Sequence, residues 1–190
     1  MWLLQECRRI WSLEGTEYSW EDLIGMASPA EAFTAFIDTD DPALLLPLDM
    51  PLEIQRLCHD SNQVVPHSKG EILRVILESL AFKNRYLFDE LTIILTLRPK
   101  TLHVVGGGAR NRLLNQFLAD AIDVPVVAGP CEATAVGNIL VQMIANGELR
   151  DLDEGRELVR NSFFQERFEP TCPRIWEENY ARFKRVTGLD

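Results

Sequence analysis

The run Leu102-His103-Val104-Val105-Gly106-Gly107-Gly108-Ala109-Arg110-Asn111 constrains the fold more than any other stretch. A short β-branched segment stops in three consecutive glycines, and apolar residues at helical spacing (Leu113, Leu114, Phe117, Leu118, Ala121) follow at once. Strand, glycine turn and helix are expected in that order. Glycine admits φ > 0 and lets a ligand reach the backbone, while a following helix offers unpaired N–H groups and partial positive charge. A phosphate or nucleotide site and a ligand-free tight turn both explain such a junction. The dinucleotide fingerprint does not, because it needs a glycine where Asn111 stands; nor does Walker A, because no Gly-Lys-Ser/Thr follows.

What surrounds the turn narrows the field. The 190 residues fit one domain with a substantial core, and 29 acidic against 19 basic residues give a net charge of −10. Such a surface does not attract nucleic acid, and no basic amphipathic or long apolar stretch points to a membrane. The start Met-Trp-Leu-Leu-Gln-Glu lacks the basic region of a signal peptide, so a cytoplasmic location is expected. Cys7, Cys58, Cys131 and Cys172 form no CxxC pair and read as passive thiols of a reducing compartment.

Along the chain, Met1 to about Leu13 has helical spacing but no N-cap, and reads as a helix cut from something longer. Ser19 with Asp22 forms a capping box for a short helix ending near Ser28-Pro29. Prolines and acids between Phe33 and Pro51 preclude one regular element, and Asp38, Asp40, Asp41 and Asp49 lack calcium-loop spacing, so a solvated acidic loop is expected. A helix from Asp49 to Asp60 precedes the longest periodic stretch, Gly70 to Leu97, with Leu73, Ile76, Leu77, Leu80, Leu87, Leu91 and Ile94 on a packing face. After the glycine turn come a helix over Arg110 to Ile122, a second strand over Val124 to Ala128, and a helix from about Glu132 to Asn146. The small residues Ala133, Thr134, Ala135 and Gly137 on that helix permit close approach of a strand or ligand. Helices near Asp153 to Arg160 and Pro173 to Val186 complete the chain, the latter docking through Trp176, Tyr180 and Phe183. His103 is expected to be a packed strand histidine.

The glycine turn, together with Gly129-Pro-Cys-Glu-Ala-Thr-Ala-Val-Gly-Asn138, resembles the C-terminal lobe of the FGGY carbohydrate kinases. Supporting stretches are Trp2-Leu-Leu-Gln5, Asp40-Asp-Pro-Ala-Leu-Leu-Leu-Pro-Leu-Asp-Met-Pro51, Glu78-Ser-Leu-Ala81 and Leu114-Asn-Gln-Phe-Leu-Ala-Asp120. Within that family the stretches look most like the rhamnulokinase branch. The resemblance implies an α/β fold, an actin-like (ribonuclease H-like) ATPase lobe over residues 1–190, helix-rich, truncated, lacking its N-terminal strands and retaining only two.

The same resemblance implies ATP and Mg²⁺ as cofactors and a sugar, L-rhamnulose or another ketose, as phosphoryl acceptor. Gly106, Gly107 and Gly108 would contact the nucleotide, with Gly107 closest, Asn111 would lie near the adenine and Gln5 would look towards ATP. Glu132, Ala133 and Gly137 would support the turn. The catalytic Asp, the metal ligand and most sugar contacts would precede this chain, so no catalytic or metal residue is assigned and the chain is expected to be inactive alone. An exposed sheet edge would favour self-association. A non-catalytic nucleotide-binding lobe is the alternative.

Overall fold

The computed structural model describes residues 1–189 and is organised around α4 (Lys69–Leu95). Ser68 caps this helix with its side chain on the Glu71 N–H, and Glu71 returns the bond in a capping box. Against α4 lie α2 (Trp20–Ala27) and α5 (Arg112–Ile122), with α1 (Trp2–Leu13), α3 (Met50–Asp60) and α8 (Pro173–Thr187) closing the core. Three of them begin where the sequence supplies a cap or a proline: Ser19 and Asp22 for α2, Asp49 with Pro51 for α3, Pro173 for α8. At the α2–α4 crossing the backbones are so close that a Cβ on Gly70 would lie 2.4 Å from the Met26 carbonyl oxygen.

The core is rich in rings. Phe33, Phe36, Phe82, Phe117, Trp176, Tyr180 and Phe183 form one cluster, with Trp176 5.0 Å from Phe33, 4.9 Å from Phe82 and 5.2 Å from Phe117 between centroids. The expected docking face of α8 is therefore its buried face. Beside the cluster, Phe33 adopts φ 57, a left-handed conformation uncommon for a bulky residue. It is held from two sides: its N–H donates to the buried Glu78 carboxylate at 2.8 Å, and its carbonyl accepts from Arg182 at 2.8 Å.

The acidic loop is anchored rather than freely solvated. Lys83 reaches from α4 to Asp38 at 2.9 Å and Asp40 at 3.1 Å, Asp41 caps a short 3-10 turn (Pro42–Leu44), and Asp49 caps α3.

The sheet has three strands, not two. β1 (Leu102–Val104) pairs parallel with β2 (Val126–Ala128), and β2 pairs antiparallel with β3 (Glu166–Phe168), in the order β1-β2-β3. The three residues Glu166-Arg167-Phe168 give no alternation long enough to mark β3 as a strand. His103, Val127 and Arg167 stand in register on the face away from the core. His103 is consequently exposed, not packed.

Two further expectations change. Beyond Phe88, α4 buries nothing, and Leu87, Leu91 and Ile94 are exposed although they continue the apolar stripe. Likewise α6 (Ala133–Ala145) buries no residue, and a Cβ on Gly137 would meet nothing within 4 Å, so no close approach requires glycine there. α7 (Leu152–Ser162) packs on α6 through Gly155 and Leu140. Among the described residues no helix is long and apolar enough to cross a membrane.

Candidate functional site

The glycines form one turn of 3-10 helix (Gly106–Arg110), and α5 proper starts only at Arg112. Each glycine has a separate duty. Gly106 takes φ +74 and donates its N–H to the Pro130 carbonyl at 3.1 Å, tying this turn to the one after β2. Gly108 turns inward, where an added Cβ would touch Val104 at an ordinary 3.6 Å. Gly107 faces open space, and an added Cβ would meet nothing within 4 Å. Neither its neighbours nor a positive φ requires glycine at that position.

That open space is a cleft of about 340 Å³ lined by Met1 and Gln5 from α1, Trp20, Glu21 and Ile24 from α2, and Gly107, Arg110 and Asn111. Gln5, Gly107 and Asn111 thus meet at one place, although Gln5 and Gly107 lie far apart in the chain. Gly106 and Gly108 shape the turn without lining the cleft. Trp20, Glu21 and Ile24 escaped sequence reasoning, because the only signal on α2 was its capping box and nothing linked it to the glycines.

Asn111 is almost wholly buried, and its Oδ1 accepts from the Leu114 N–H at 3.0 Å as the N-cap of α5. With Oδ1 engaged in the cap, the Nδ2 amide is the donor group that Asn111 has left for an acceptor. Behind it, Asn115 donates from Nδ2 to the Ala109 carbonyl at 3.0 Å, while its buried Oδ1 has no partner among the described residues. At the mouth, the Cys131 sulfur and the Glu132 carboxylate, the latter 3.4 Å away, hold Arg110 more firmly in its charged form. The cleft therefore combines an apolar wall, one fixed amide, an approachable backbone, the Arg110 cation and the Glu21 carboxylate, a set suited to a ligand with a flat apolar part and polar groups. Among the described residues no group of three or more His, Cys, Asp or Glu side chains is placed to hold a metal ion.

Residues 1–146 match the FGGY family of carbohydrate kinases, C-terminal domain. The chain belongs to this family. Its FGGY relatives include the rhamnulokinase of Bacteroides thetaiotaomicron, 41% identical over 97% of this chain and 37% of that protein. The rhamnulokinase of Enterococcus faecalis is 44% identical over 86% of this chain and 33% of that protein. The chain accordingly spans about a third of the length of the curated relatives it matches. Among solved structures, xylulose kinase from Rhodospirillum rubrum superposes with a TM-score of 0.50 at 22% identity, covering 66% of this chain and 26% of that one. The fold is thus that of an FGGY kinase lobe, helix-rich around a small mixed sheet.

Proposed function

We propose that this chain is the nucleotide-side lobe of an ATP-dependent sugar kinase, the complete protein transferring the γ-phosphoryl group of ATP to L-rhamnulose and giving L-rhamnulose 1-phosphate. One observation carries the nucleotide assignment: Gln5, Gly107 and Asn111, brought from two distant stretches of sequence, line a single cleft at the one glycine of the turn whose side-chain space is open. The rhamnulokinase relatives support the choice of sugar. Phosphoryl transfer rests on positioning and charge stabilisation, with Mg²⁺ neutralising the phosphates and a carboxylate accepting the hydroxyl proton. In this reading the chain's residues supply positioning only. The Asn111 amide donates to the nucleotide, Gly107 lets it approach the backbone, and Arg110 stands at the cleft mouth. The proton acceptor and the sugar contacts lie in the remainder of the kinase.

Calorimetry of ADP and ATP with Mg²⁺, beside a Gly107→Val variant, tests the assignment. The intact chain is expected to bind nucleotide, and the variant to bind at least about tenfold more weakly while keeping its melting temperature, since a side chain there meets only the cleft. Equal affinity in a folded variant would return the turn to a purely structural role. The purified chain is also expected to leave L-rhamnulose unphosphorylated, and sustained turnover would overturn the division of labour.

A further inference from the structure

Trp20 stands out on the wall of this cleft because nothing in the core uses it. The indole is large and partly exposed, and it is absent from the buried cluster that holds the fold together. Yet it is not loose. It is the first residue of α2, directly after the N-cap Ser19 and inside the Ser19–Asp22 capping box, and the Arg8 guanidinium lies 5.1 Å from its ring centre. Arg8 is itself fixed, its Nε donating to the Tyr18 carbonyl at 2.6 Å. A rigid aromatic surface costs little conformational entropy when a ligand covers it, and a cation against a ring helps lock its orientation.

The surroundings give the ring two sides. A second, shallower cleft of about 460 Å³ is lined by Gln5, Arg8, Arg9, Ser12, Glu17, Tyr18 and Trp20. Gln5 and Trp20 belong to both clefts, whereas Arg8 lines only this second one. Trp20 is therefore the partition between them, backed by Arg8 and fronting the space beside Gly107 and Asn111. Ile24, one helical turn further along α2, extends the same apolar wall.

Resting on the nucleotide reading above, we propose that Trp20 is the platform for the nucleobase: the purine packs on Trp20 and Ile24, and the Asn111 amide donates to a ring acceptor. The phosphates then run towards the glycine turn and Arg110. Trp20 acts by contact with the base, and Arg8 is a positioning residue that acts through Trp20.

The test uses the intact chain and ADP. Loss of base–aromatic packing is expected to weaken ADP about tenfold or more in Trp20→Ala, whereas Trp20→Phe stays within about threefold of the parent. Melting temperatures of both variants are expected to match the parent, because the side chain lies outside the core. ADP is also expected to change the indole emission of the parent, a signal that Trp20→Phe loses although Trp2, Trp11 and Trp176 remain. Unchanged ADP affinity in Trp20→Ala, or an emission change that survives in Trp20→Phe, overturns the platform. If Gly107→Val still abolishes binding, the nucleotide assignment stands without it. A parent chain that fails to bind ADP overturns both.

Discussion

Glu78 shows how a single residue can be read wrongly from its ion pair alone. The side chain is buried and pairs with Arg74, accepts the Phe33 N–H and feels Arg182. Burial nevertheless dominates, pushing its carboxyl up from the usual value, against the opposing pull of those partners. The folded protein then holds this proton to higher pH than the unfolded chain does. Its stabilising contribution is complete below the unfolded pKa and is lost as pH rises through the folded one. Melting curves of the parent and Glu78→Gln, taken from acid to neutral pH, should show the parent's relative advantage shrinking as pH rises; an advantage that grows would mean the ion pairs outweigh burial. At this scale the sequence named residues but not their placement. Gln5, Gly107 and Asn111 line one cleft, whereas Gly106 and Gly108 lie in the turn outside it, a distinction set by φ and packing direction that three identical letters cannot carry.

Among the elements, the α2–α4 crossing makes the sharpest prediction. Alanine in place of glycine inside a helix ordinarily stabilises by about 1 kcal/mol. Here the sign reverses, since the Cβ of Gly70→Ala would lie 2.4 Å from the Met26 carbonyl and the two helices would have to part. A loss of about 1–3 kcal/mol in urea unfolding is expected. A gain would show that the crossing yields without cost. Capping residues made two helix starts readable in the sequence, at Ser19 and Asp49, because a cap is a local bond between neighbours in the chain. β3 was not readable, since a three-residue strand is specified by its partner β2 and not by its own pattern. The α4 stripe misled for the opposite reason: periodicity marks which side of a helix is apolar, but not whether anything covers it.

Taken whole, the protein leaves apolar surface in the open. Leu91, Ile93, Ile94 and Leu95 at the end of α4, Leu97 just beyond it, and Ile139 and Val141 on α6 are all exposed, and among the described residues β1 has one unpaired edge. Apolar burial is worth about 25 cal/mol per Å², so copies that cover these faces gain by meeting. Sedimentation velocity should reveal concentration-dependent self-association that Ile94→Glu with Ile139→Glu reduces without lowering the melting temperature. A monomer at all concentrations would count against it. The ring cluster, by contrast, concerns time rather than surface. Phe33, Phe36 and Phe82 find Trp176, Tyr180 and Phe183 only in the last helix, and Arg182 closes on the Phe33 and Thr34 carbonyls across nearly the whole chain. A nascent polypeptide emerging from the ribosome therefore carries an unfinished ring cluster until α8 has cleared the exit, and Phe33, Phe36 and Phe82 await partners made long after them.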